Sequence, residues 1–176
     1  MNLQLFNFLY GFAHQSAALD SLIVFFATDF ALIVIVAIFF YLYRHHDKKR
    51  GTKEVLAVTL AAVLAWFVSK LIKYGYPVDR PGTALEGVTP LFEHGGGTDS
   101  FPSGHATLLA GFAGAFFRYH RRLAYFLLGV AALVGLARIA AGVHFPVDVG
   151  AGLVIGWVIG YALSSYFARH THRLPF

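Results

Sequence analysis

The chain contains no cysteine and little charge. Without cysteine there can be no disulfide, no thiolate metal site and no cysteine nucleophile. Charged residues make up 13% of the 176 positions, against about a quarter in an ordinary soluble domain. The opening stretch MNLQLFNFLYGF lacks the basic n-region of a cleavable signal, so no cleaved leader is expected. A net charge of +5 raises the question of nucleic acid, but the basic residues sit in short clusters between apolar blocks. That pattern is a membrane-topology signal rather than a nucleic-acid surface, so no nucleic-acid partner is expected.

What is present is apolar: 57% of the residues are hydrophobic and the mean hydropathy is +0.63. The length suits a single membrane domain over residues 1–176. The fold class expected is all-α, a polytopic membrane bundle of about five to six transmembrane helices with an N-terminal interfacial helix. Residues 2–13 are expected to form that amphipathic interfacial helix. The first long block, about 17–43, exceeds the roughly 20 residues a span needs. Asp29 interrupts it, and a carboxylate deep in a bilayer is costly. A break near Thr28–Asp29 is therefore expected, with Asp29 in a structural role. Further spans are expected at about 55–74, 104–117, 123–141 and 146–168.

The basic clusters set an orientation. Arg44, Lys48, Lys49, Arg50 and Lys53 follow the first span, Arg118, Arg121 and Arg122 the third, and Arg169 and Arg173 the fifth. These regions alternate so as to share one side, which the positive-inside rule makes the cytoplasm. The N-terminus is then outside and the C-terminus inside. The fifth span carries Gly152, Gly156 and Gly160 at intervals of four, a ridge suited to close helix packing. Packing inside the bundle is favoured over use of the ridge for a homodimer.

Three polar groups fall at the outer face: Lys73 with Arg80-Pro81 after the second span, Pro102-Ser103-Gly104-His105 before the third, and Arg138 with His144 and Asp148 between the fourth and fifth. Guanidinium forks match phosphate oxygens bidentately, and lysine adds a point charge. At a helix start, Ser103 can cap and Gly104 lets backbone approach an anion. His105 would point at the same anion. Pro146 suits a first helical turn, so Asp148 can turn back to His144. A carboxylate there fixes the imidazole tautomer and leaves the other ring nitrogen to attack. Such a pair alone would also suit a structural role or a metal site, but the nearby cations disfavour a divalent ion. The reading is phosphoryl transfer without a metal or other cofactor. Lys73, Arg80, Arg138, Ser103 and Gly104 would bind phosphate, His144 would attack, Asp148 would orient it and His105 would protonate the leaving group.

At these residues the chain resembles the type 2 phosphatidic acid phosphatase superfamily, which also includes the vanadium haloperoxidases. The family's K-x6-RP and PSGH are matched at Lys73–Pro81 and Pro102–His105. Its SR-x5-H-x3-D is matched at Arg138, His144 and Asp148, with Ala137 where the family has Ser. The resemblance implies metal-independent hydrolysis of a membrane lipid phosphate through a phosphohistidine. A narrower similarity, in LDSLIVFFATDF, DSFPSGH and GVHFPVDV, is to bacterial undecaprenyl-diphosphatases of the bacitracin-resistance type. It implies a plasma-membrane enzyme with its site facing outward. Phosphatidylglycerophosphate, phosphatidate and lipid A phosphates remain alternative substrates, and a lipid-phosphate transporter or binding scaffold the non-enzymatic alternative.

Remaining polar residues are expected to matter less. Asp79, Glu86, Glu93 and Asp99 read as solvated loop acids, one of which could shape the approach of substrate. His94 with Gly95–Gly97 suggests a mobile lid. His45, His46, His170 and His172 read as headgroup contacts, and Trp66 and Trp157 as packing residues.

Overall fold

The computed structural model describes residues 1–45, 48–93 and 97–171. The expectations for His46, His172, Arg173 and the His94–Gly96 part of the lid lie outside them, and those for the side chains of His45, Lys48, Lys49, Arg50, Lys53 and His170 lie outside the described side chains. The regular elements of the described chain are helices: α1 Asn2–Tyr10, α2 Ala17–Ala27, α3 Asp29–His45, α4 Lys48–Gly75, α5 Pro81–Ala84, α6 Gly104–Phe116, α7 Arg121–Ala140 and α8 Pro146–Thr171.

Among the described residues, three segments are long and apolar enough to cross a bilayer: Glu54–Gly75, Arg121–Ala140 and Pro146–Arg169. The pair Ala17–Ala27 and Asp29–Phe40 makes a fourth, bent by 45° at the break. That break falls where Asp29 predicts it. The segment expected as the third span, about 104–117, forms a helix over Gly104–Phe116. Helix α6 has 13 residues, about 20 Å at 1.5 Å per residue, short of a hydrocarbon core of about 30 Å. It runs through the protein interior, with ten residues from Ala106 to Phe116 buried.

Small residues make this enclosure feasible. Ala61, Ala62 and Ala65 of α4 are fully buried, and a Cβ at Gly111 of α6 would lie 3.1 Å from the Ala62 Cα. On α8 the Gly152, Gly156 and Gly160 ridge faces α6. A side chain at Gly156 would strike the Thr107 carbonyl, and one at Gly160 the Gly111 carbonyl. The ridge is thus used within the chain, where two backbones approach too closely for any Cβ. Outward faces carry Leu32, Val36, Phe40, Leu60, Phe67, Val154 and Val158, all exposed as lipid-facing residues must be.

Helix α1 packs one face on the bundle. Phe6 is fully buried, 5.4 Å from the Phe145 ring and 5.5 Å from Tyr10. Leu3, Leu5 and Phe8 stay exposed, consistent with an interfacial helix. The Tyr10 hydroxyl donates to the Thr89 carbonyl at 3.0 Å and accepts from the Thr89 N–H at 2.9 Å. Helix α1 therefore braces the connection between α4 and α6. At the far end of the bundle, His120 lies 3.1 Å from Glu54, joining the start of α4 to the α6–α7 turn.

Candidate active site

The buried polar residues Lys73, Arg80, Ser100, Ser103, Arg138, His144 and Asp148 come from the end of α4, the following connection, the start of α6, the end of α7 and the start of α8. Most of them sit at or beside helix ends, where unpaired backbone N–H and C=O groups are also available to a ligand. All three sequence-predicted groups meet at one end of the bundle.

The connection between α4 and α6 folds back on itself. Val78 donates to the Thr98 carbonyl at 2.8 Å, Ser100 to the Val78 carbonyl at 3.0 Å and Arg80 to the Gly97 carbonyl at 2.7 Å. This small bridge brings Asp99 beside the two cations. Arg80 donates from Nε to Asp99 Oδ1 at 2.8 Å and from Nη2 to the Asp99 carbonyl at 3.3 Å. Its Nη1 donates to the Val143 carbonyl at 2.9 Å. Lys73 Nζ donates to the Asp99 carbonyl. Three of the five guanidinium N–H groups are used in this way, and two remain for a ligand.

Asp99 is thus a correction to the reading of it as a solvated acid. Its side chain is one-third exposed and paired with Arg80. Partial burial alone would push its carboxyl up, but the Arg80 hydrogen bond and charge, with Lys73 and Lys70, hold it below the usual carboxylate range. Asp79, Glu86 and Glu93 are exposed as expected.

Helix α7 ends in a Schellman turn: Gly142 has φ +75°, Val143 N–H bonds to the Arg138 carbonyl and Gly142 N–H to the Ile139 carbonyl. The reversal carries His144 back beside the last turn, where Arg138 is fully buried. Arg138 donates from Nη1 to the Ala27 carbonyl at 3.0 Å. Among the described residues, its Nε and Nη2 have no hydrogen-bond partner. The Phe92 ring covers the guanidinium at 5.9 Å.

Pro146 opens α8 and places Asp148 in the first turn, as expected. His144 Nδ1 lies 3.6 Å from Asp148 Oδ2, and both residues are 1% exposed. That separation is an ion-pair distance rather than a hydrogen bond. The Ser100 hydroxyl donates to the same Oδ2 at 2.6 Å and lies 3.5 Å from Nδ1. The Phe145 N–H donates to Oδ2 at 2.8 Å.

Ser103 occupies the N-cap position of α6, but its side chain makes no capping bond, against expectation. Its N–H is drawn to the Asp148 carbonyl at 2.9 Å, and its buried Oγ has no partner. Gly104 and His105 follow in the first turn, both half-buried. Among the described residues, no group of three His, Asp and Glu side chains is arranged to hold a metal ion.

Two participants escaped sequence reasoning, Ser100 and Asp99. Both lie in the DSFPSGH stretch, just before the PSGH residues. No spacing rule marks them, because their partners Asp148 and Arg80 come from distant segments.

The sequence pattern of the PAP2 superfamily matches residues 54–172. The undecaprenyl-diphosphatase BcrC of Bacillus subtilis (strain 168) is 30% identical, over 92% of this chain and 81% of that protein. A lipid A 1-phosphatase of Rhizobium johnstonii is 37% identical, over 68% of this chain and 48% of that protein. The crystal structure of Aquifex aeolicus LpxE superposes with a TM-score of 0.71 at 29% identity, covering 94% of this chain and 95% of that one.

Proposed function

The chain belongs to the PAP2 superfamily of membrane phosphatases, and from that premise we propose that it hydrolyses undecaprenyl diphosphate to undecaprenyl phosphate through a phosphohistidine on His144. One observation carries the chemistry. Arg138 Nε and Nη2 and Ser103 Oγ are buried polar atoms at one site without partners among the described residues. A buried guanidinium left unpaired is costly, and a phosphoryl group satisfies it with two acceptor oxygens.

Lys73, Arg80 and Arg138 hold the terminal phosphoryl group, together with Ser103 and the backbone at Gly104. The developing charge of phosphoryl transfer falls on these groups. His144 attacks phosphorus through Nε2, since Nδ1 is turned to Asp148 and Ser100. The P–O bond to the leaving lipid phosphate breaks, and His105 supplies its proton. Water then adds to phosphorus and gives a proton to the now neutral His105, the P–N bond breaks, and inorganic phosphate leaves. Asp148 stabilises the imidazolium form throughout.

The similarity to BcrC over nearly the whole chain supports the polyprenyl diphosphate. The higher identity to a lipid A 1-phosphatase over a shorter stretch favours lipid A phosphate as the second reading. The site lies at the bundle end opposite the His120–Glu54 contact, and Arg118, Arg121 and Arg122 flank His120. By the positive-inside rule the site then faces outward from a bacterial plasma membrane.

The test is phosphate release by the purified protein in detergent from undecaprenyl diphosphate, lipid A 1-phosphate, phosphatidylglycerophosphate and phosphatidate. The diphosphate should give the highest kcat/KM, unchanged by EDTA and inhibited by vanadate. Preference for another lipid would overturn the substrate assignment. Loss of activity on chelation would overturn the metal-free mechanism. A reporter fused after Arg121 should read as cytoplasmic; an external reading refutes the orientation.

A further inference from the structure

We propose that Ser100 is a positioning residue that sets the tautomer of the attacking histidine, acting through Asp148. This rests on the phosphohistidine reading above. The Ser100 side chain is fully buried, and its hydroxyl stands against both members of the His–Asp pair. Its single proton goes to Asp148 Oδ2 at 2.6 Å, the shorter of the two contacts. Toward His144 the hydroxyl can therefore only accept. Nδ1 then faces two acceptors, Asp148 Oδ2 at 3.6 Å and Ser100 Oγ at 3.5 Å. Two acceptors require the proton on Nδ1, which places the lone pair on Nε2, the nucleophilic nitrogen.

The backbone gives Ser100 the rigidity this task needs. Its N–H is bonded to the Val78 carbonyl in the small bridge that also seats Asp99. Three residues on, the Ser103 N–H bonds to the Asp148 carbonyl at 2.9 Å. The segment before α6 thus grips the acid at two points, by side chain and by backbone. Without Ser100, the Asp148 carboxylate would keep the Phe145 N–H on Oδ2 but lose the donor on its histidine side. The carboxylate could then rotate away from a histidine that is already beyond hydrogen-bond distance. Ser100 makes no hydrogen bond to Lys73, Arg80 or Arg138, so its loss leaves the phosphate-binding cations in place.

The experiment compares wild type, Ser100→Ala, Asp148→Asn and the double variant, measuring kcat and KM with undecaprenyl diphosphate and inhibition by inorganic phosphate. Ser100→Ala should lower kcat about 10- to 100-fold, the usual effect of removing a group that orients a reacting histidine. KM and the inhibition constant of inorganic phosphate, a ground-state ligand of the unaltered cations, should stay within about twofold. The double variant should be no slower than Asp148→Asn alone, because the serine acts through the acid. Wild-type kcat retained in Ser100→Ala overturns the proposal. So does a parallel loss of inorganic phosphate affinity, which would mark a merely structural role, or additive losses in the double variant. Failure of the underlying phosphatase reading shows separately, as absence of phosphate release by wild type from every lipid in the panel.

Discussion

Arg138 donates to the carbonyl of Ala27, a residue 111 positions away, at 3.0 Å. Ala27 ends α2 at the 45° break, where helix carbonyls lose their intrahelical partners. The bend therefore orients one nitrogen of the guanidinium, and two others are left for a ligand. Arg138→Lys keeps the charge but cannot hold the carbonyl and two phosphate oxygens together. Turnover should fall by about 10²–10³, the usual effect of losing one charge-stabilising donor, with weaker vanadate inhibition. A lysine variant within a few-fold of wild type would refute the role.

The two histidines can be separated by leaving group. His144→Ala should abolish turnover on every substrate and yield no phosphoenzyme on rapid quench. His105→Ala should lose about 10²–10⁴ on lipid substrates, the range for a general acid. On p-nitrophenyl phosphate, whose leaving group needs little protonation, the His105→Ala loss should be much smaller. Equal losses on both substrate types would remove His105 as the acid.

Asp99 predicts a pH effect of definite sign. Its folded pKa lies below the ordinary value. The Arg80 pair therefore contributes stability that is complete above the unfolded-state pKa of about 3.9 and is lost as pH falls through the lower folded value. One-third exposure screens the pair, so the effect is modest. Thermal midpoints in detergent should show wild type losing this component below about pH 4. Asp99→Asn should lack it at neutral pH already. Identical pH curves for the two proteins would contradict the pairing.

The glycine ridge predicts a positional contrast. Gly156→Ala drives a methyl into the Thr107 carbonyl, whereas a Cβ at Gly150 meets nothing within 4 Å. The first should destabilise the protein by about 1–3 kcal/mol through overpacking. The second should be neutral or slightly stabilising, because alanine exceeds glycine in helix propensity. Thermal unfolding of the two variants checks this. Equal midpoints would mean that α6 and α8 do not touch along that ridge.

Much of this protein was legible in one dimension. Hydropathy blocks, the cost of Asp29 within an apolar run and the basic clusters are local properties, so the helices and the break at Thr28 follow from counting. Lys73, Arg80, Ser103, Arg138, His144 and Asp148 were also readable, because each carries chemistry at a fixed spacing. The burial of α6 was not readable from hydropathy. An apolar helix suits lipid and protein interior equally well, and only the small residues of α4 and α8 decide between them. The partners of the site residues were not readable either. Asp99 resembles any loop acid until the Val78 bridge sets it against Arg80, and Ser100 resembles any turn serine until α8 brings Asp148 to its hydroxyl. Residue types and spacing determined which groups could act on a phosphate. Only the tertiary structure decided which of them are held, and by what, because hydrogen bonds between distant segments exist only once the chain has folded.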